Sequence, residues 1–192
     1  MTTVLILLPY AVYAALMLVV SPTLSLAAGA ALCLMAVIVD LARGRSIKLL
    51  GAGSAIVFAG LACYRGIVDP AMSVAALHLV VDGGVFAIAL GSILARFPFT
   101  LQYALESVPA ETAAMPGFLR ANYVISGAWA LATALMIGAN VLMIYAPGLP
   151  IWTGLAIAFA ARNSALYFTR WYPEYDRLKS ESRQAGAVSA AK

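Results

Sequence analysis

The only histidine of the chain, His78, sits in the apolar run LHLVVDGG (77–84), with Asp82 four places on. That spacing puts the imidazole and the carboxylate on one face of a helix. Together they could hand on a proton, hold an ion or hydrogen-bond a polar solute. Arg162 and Asn163 interrupt a second apolar run, and Asn140 a third. A charge at the bilayer centre costs about 2.5–3.5 kcal/mol on insertion scales, so it needs a partner or a purpose. Asp82 lies twelve residues after Pro70 and Arg162 twelve after Pro150. If those prolines open their helices, both charges sit roughly 18 Å along them at 1.5 Å per residue. An Asp82–Arg162 pair is expected, with His78 one turn outward. His78, Asp82, Asn140, Arg162 and Asn163 form the candidate intramembrane polar cluster.

Three readings of the cluster stay open. It is a buried clasp that fixes helix register, or the lining of a cavity that binds or passes an ion, proton or small polar solute, or a seat for a lipid headgroup or quinone. One histidine and one aspartate are too few for a closed metal site. A single histidine cannot supply paired haem ligands. No P-loop, HExxH or Ser-His-Asp pattern is present. No cofactor, metal or catalytic residue is therefore assigned, and an enzyme ranks below the other classes. Cys33, in the inner half of one span, and Cys63, at the outer end of the next, read as small packing residues, and no CxxC pair exists.

Composition says which elements must position these residues. Of 192 residues, 64% are hydrophobic and 10% charged. A soluble domain carries about a quarter charged residues. Too little polar surface remains to face water, so the lipid bilayer is the expected surrounding. The net charge of +4 comes from connections and tail, with no basic helix or aromatic-basic groove that would point to nucleic acid.

A span needs about 20 apolar residues. Segments 4–20, 23–39, 47–64, 70–95, 124–146 and 150–170 meet this, which predicts an all-α polytopic bundle of six transmembrane helices over 1–171. The first segment lacks the positive start of a signal peptide, since no Lys or Arg precedes Arg43, and reads as a retained span. SPT and APGLP close tight hairpins. Arg43, Arg45, Lys48, Arg96, Arg120, Arg170, Arg177, Lys179, Arg183 and Lys192 then share one side, against Arg65 on the other. This bias places both termini in the cytoplasm of a bacterial-type inner membrane.

The connection 96–122 is the longest. RFPFTLQYALESV spaces Phe97, Leu101, Ala104, Leu105 and Val108 as one apolar stripe, with Thr100, Gln102, Glu106 and Ser107 largely off it. A short amphipathic helix is expected there, on the membrane surface or capping the bundle. The segment 172–192 reads as a polar cytoplasmic tail, partly disordered. Small residues recur every fourth position at Gly51, Ala55 and Ala59, at Ala130, Ala134 and Gly138, and at Gly154 and Ala158. Such stripes let helix backbones approach in lipid. They pack the monomer or make a seam with a second copy or another membrane protein.

RFPFTLQYALE resembles the inner loop of small multi-span bacterial proteins of the intracellular septation protein A type, where a basic residue and a proline follow a span. The Trp- and Asn-bearing stretch FLRANYVISGAWALATALMIGANVLMIYAPGLPIW, with Asn122, Trp129, Asn140 and Trp152, is similar to theirs. The likeness covers about residues 60–155. The inner loop here is longer and less basic than theirs. The resemblance implies an inner-membrane protein linked to envelope growth and acting through partners. Two function classes follow: a small transporter- or channel-like protein using the His78/Asp82/Arg162 cluster, and a non-catalytic envelope scaffold. The topology has a direct check: reporter fusions at Lys192 and at Gly148 should report opposite sides of the membrane, and agreement between them would mean that a span is miscounted.

Overall fold

The structure, a computed structural model, describes residues 2–146 and 148–190, and their regular structure is entirely helical. The helices are α1 Thr2–Leu16, α2 Pro22–Ala42, α3 Leu49–Ile67, α4 Val74–Leu94, α5 Phe99–Leu105, α6 Ala110–Ala113, α7 Pro116–Tyr145 and α8 Ile151–Ala190. Among them α2, α3, α4 and residues Gly117–Tyr145 of α7 are long and apolar enough to cross a membrane. The chain is a helical membrane protein. α1 has only fifteen residues, and α8 carries Arg162 and Asn163 within its apolar half. The polar segment from 172 continues α8 as helix to Ala190.

Local chemistry sets the boundaries. Ser21 caps α2 by accepting from the Leu24 N–H (3.4 Å), with Pro22 in the first turn, where its missing donor costs nothing. Ser73 caps α4 by accepting from the Ala76 N–H (3.2 Å). α4 therefore starts at Val74 and not at Pro70, which lies in the turn beyond Asp69. α2 ends at a left-handed Gly44 (φ +66°), which lets the Arg45 N–H return to the Asp40 carbonyl (2.9 Å). α7 begins eight residues ahead of the expected span at 124, because Pro116 suits a first turn and nothing after it breaks the helix.

The helices pack largely in chain order: α1 on α2, α2 on α3, α3 on α4, α4 on α7 and α7 on α8. Tyr13, Leu26, Phe58 and Leu77 fill the core of the first four, and Ala132, Met136, Ala161 and Ala165 join α7 to α8. Close approach depends on glycine. A Cβ on Gly84 would stand 2.7 Å from a stiff Val57 methyl, and one on Gly29 would stand 3.3 Å from the Phe58 ring. Of the small-residue stripes, Ala130 is buried and Ala158 packs between α7 and α8, whereas Ala59 and Gly138 face outward. Burial runs opposite to that of a water-soluble bundle. Ser25, Ser54, Ser92 and Ser126 are buried, and Leu18, Ile56, Ile67 and Phe159 are exposed. That distribution suits a lipid surround, where polar groups must be satisfied inside the protein.

The short helix expected between the fourth and fifth spans is α5, and it caps the bundle. Phe99 and Leu101 are buried, while Phe97 and Leu105 stay exposed. Its first backbone N–H and two side chains off the apolar stripe fasten it to three helices. The Phe99 N–H donates to Ser92 Oγ on α4 (3.0 Å). Thr100 Oγ1 donates to the Asn122 carbonyl of α7 (2.9 Å), leaving Ser126 Oγ to donate to it (2.8 Å). Gln102 Oε1 accepts from the Leu49 N–H at the start of α3 (2.7 Å).

The fourth fastener is an ion pair between Lys48, 4% exposed, and Glu106. Lys48 Nζ also donates to the Ser46 carbonyl (3.0 Å). Burial alone would raise the Glu106 pKa. Hydrogen bonds from Lys48 and Ser46, with the Lys48 charge, outweigh it and hold the carboxyl below its ordinary 4.5. A carboxyl depressed by folding adds stability above its unfolded pKa, and that stability fades as pH falls through the folded value. Thermal stability in detergent should therefore drop as pH falls below about 4.5. Glu106→Gln strands the Lys48 ammonium and should cost about 1–3 kcal/mol at neutral pH, less than a fully buried pair because Glu106 is partly exposed. The same change should flatten the acid limb. An unaltered neutral-pH midpoint in that variant would show that the pair does not hold α5.

Candidate functional site

α7 decides what Asp82 touches. It lies between α4 and α8, packed extensively on both. Asp82 is eight residues into α4, whereas Arg162 is eleven residues into α8. The matched depth that favoured a direct pair is therefore lost by roughly 4–5 Å. The Asp82 carboxylate instead accepts a hydrogen bond from Asn140 Nδ2 on α7 at 2.8 Å. Among the described residues Arg162 enters no ion pair within 4.0 Å. The expected Asp82–Arg162 contact is thus corrected to an Asp82–Asn140 bond. Arg162 remains close enough for its charge to act on both Asp82 and His78.

The other members of the cluster separate. His78 is half-buried, with its ring centroid 5.6 Å from that of Tyr13, tilted by 56°. The Tyr13 hydroxyl is buried and has no hydrogen-bond partner among the described residues. A buried hydroxyl left unpaired costs free energy, so this is a position where a polar ligand atom would be welcome. Asn163 is exposed and donates to the Phe159 carbonyl of its own helix (2.8 Å), away from Asp82.

Asp82 and Arg162 face one cavity without contact. Both line a cavity of about 290 Å³ bounded by α4, α5, α7 and α8, with Tyr10 of α1 as a further wall. From these charges the cavity runs along the bundle to Thr100 and Tyr103 of α5 and Thr169 of α8. Most of the wall is apolar: Val85, Ala89, Phe99, Ile125 and Met136. Its polar side chains are mostly already occupied. Trp129 Nε1 donates to Thr169 Oγ1 (2.9 Å), Thr133 Oγ1 to the Trp129 carbonyl (2.9 Å), and Tyr10 pairs with Ser54. Arg162 is the exception: a guanidinium with five donors and, among the described residues, no hydrogen-bond or ion-pair partner.

The five-residue cluster did not include Tyr10, Trp129, Thr133 or Tyr103. A signal for the α7 wall was present. Asn122, Ser126, Trp129, Thr133, Met136 and Asn140 recur at three- and four-residue steps, which is one helix face. Among the described residues no group of three His, Cys, Asp or Glu side chains could hold a metal ion. No family model, curated protein or solved structure matches the chain.

The bonding pattern makes an asymmetric prediction. Asn140→Leu removes the donor to Asp82 and should destabilise the detergent-solubilised protein by about 1–3 kcal/mol. Asp82→Asn keeps an amide pair and should cost less. Arg162→Leu removes a charge with no direct partner among the described residues and should leave the unfolding midpoint at or above that of the parent. Strong destabilisation by Arg162→Leu, relieved by adding Asp82→Asn, would instead restore a direct Asp82–Arg162 pair.

Proposed function

We propose that this protein is a small transporter- or channel-like integral membrane protein that binds, in the α4–α5–α7–α8 cavity, a small and largely apolar solute bearing an anionic group. One observation carries the reading. Asp82 and Arg162 share a cavity wall without closing on each other, and among the described residues Asp82 has a donor while Arg162 has no direct acceptor. An unpaired guanidinium in apolar surroundings is costly, and an incoming carboxylate, sulfonate or phosphate would relieve that cost. The apolar wall then takes the solute's body. Asp82, held by Asn140, disfavours a second negative charge and selects for a single anionic group. In the proposed topology α1 and α8 complete six spans, and the basic ends of the helices face the cytoplasm of a bacterial-type inner membrane. Arg43, Lys48, Arg96 and Arg120 all flank the end of the bundle that α5 caps, which supports a common side for them.

Octanesulfonate and octyltrimethylammonium, matched in chain and opposite in charge, test the reading. Trp129 in the cavity wall supplies a fluorescence signal for binding to the protein in lipid nanodiscs. The sulfonate should bind more tightly. Arg162→Gln should erase that preference while leaving the fold intact, and flux of the sulfonate into proteoliposomes should fall with it. Equal binding of the two probes sinks the anion assignment. No binding and no flux leaves a dry clasp, which is the scaffold role implied by the septation-protein resemblance.

A further inference from the structure

A second cavity, of about 340 Å³, lies on the other side of Tyr10 and Tyr103, between α1, α2 and α3. Its two ends differ in chemistry. Arg43, Arg45 and Lys48 stand at the end where α2 turns into α3, with Asp40 and Glu106 beside them. Leu32, Met35, Ala36 and Val39 of α2 form an apolar wall that runs away from those charges. Met35 and Val39 are also exposed on the outer surface of the bundle, so the cavity is a groove open to the surrounding lipid.

The charges at the mouth do not cancel. Lys48 is taken by Glu106, and Arg45 lies 3.8 Å from Asp40 and 3.9 Å from Glu106. Three cations against two carboxylates leave one positive charge, and Arg43 is the cation with no ion pair among the described residues. The turn at Gly44 sets this arrangement, because its left-handed φ sends the chain back and puts Arg43 and Arg45 on either side of it. The apolar wall from Asp40 back to Leu32 is roughly 12 Å long at 1.5 Å per residue. One leaflet of a bilayer core is about 15 Å deep. A surplus cation at membrane-surface level above an apolar groove nearly one leaflet deep matches one kind of molecule. We infer that this groove holds an anionic phospholipid, with its phosphate at Arg43 and Arg45 and an acyl chain along Leu32, Met35 and Ala36. The groove uses different charges from those of the solute cavity, and a lipid there needs no transport by the protein. Free phosphate shares the headgroup chemistry but would gain nothing from the apolar wall.

The full chain, purified in a neutral detergent, can be offered dioleoyl-phosphatidylglycerol, dioleoyl-phosphatidylcholine or inorganic phosphate. Native mass spectrometry and the thermal midpoint report retention. Phosphatidylglycerol should be retained and stabilise the protein, phosphatidylcholine less so, and phosphate not measurably. Removing one surface cation should weaken anionic-lipid binding about fivefold, so Arg43→Gln should show that loss. Ala36→Trp fills the groove, keeps every charge and should also reduce retention. A phosphatidylglycerol with a photoreactive acyl chain tests the unmutated protein, and its label should fall on the stretch 32–39. Equal retention of both lipids, full stabilisation by phosphate alone, undiminished retention in both variants, or labelling confined to other helices would each overturn the assignment.

Discussion

A carboxylate inside a bundle that faces lipid must find its donor within the protein, and Asp82 finds it in Asn140. Water cannot supply the missing bond in hydrocarbon, so the helix that carries the donor has to lie against the helix that carries the acceptor. That helix is α7. Once α7 packs on α4, α8 has its place on the other face of α7, and Arg162 approaches Asp82 across a cavity without touching it. The cavity, its apolar walls and a guanidinium unpaired among the described residues all follow from where α7 lies.

The cavity also needs a floor, and α5 provides it. Seven residues cannot hold a helix by propensity alone. α5 is held by hydrogen bonds to α3, α4 and α7 and by the Lys48–Glu106 pair. The same residues serve two compartments. Tyr103 of α5 and Tyr10 of α1 stand in the walls of both the α4–α5–α7–α8 cavity and the α1–α2–α3 groove. A displacement of α5 would change both at once. The hydroxyl groups that fasten it, from Ser92, Thr100 and Ser126, are small and lie inside, where they satisfy backbone donors and acceptors without opening space between helices.

Much of the architecture was legible in the residues. Continuous apolar runs of about 20 residues with few charges point to helices in lipid, because a helix satisfies every backbone polar group within its own segment. The approximate positions of α2, α3 and α4, the hairpin turns and the existence of α5 follow from hydropathy and from the stripe at Leu101, although the start of α4 does not. The polar residues within the apolar runs could be picked out for the same reason: each is too costly there to be incidental. The α7 face from Asn122 to Asn140 was written in three- and four-residue steps, but its residues are individually ordinary, and only the shared face makes them a wall.

What the sequence could not decide was which of these residues meet. Proline positions suggested equal depth for Asp82 and Arg162, yet Ser73 starts α4 four residues beyond Pro70, and a cap is a local contest that either candidate could win. Depth along separate helices also says nothing about their order around the bundle. That order came from packing, through the close fit of Gly29 against Phe58 and of Gly84 against Val57 and through the extended contact of α7 with both α4 and α8. Sequence by itself determined that His78, Asp82, Asn140 and Arg162 had to be accommodated away from lipid. Tertiary structure alone determined that Asp82 would be bonded, Asn163 turned outward and Arg162 left facing a cavity, because hydrogen bonds and ion pairs reach only 3–4 Å and only the arrangement of whole helices sets distances that short.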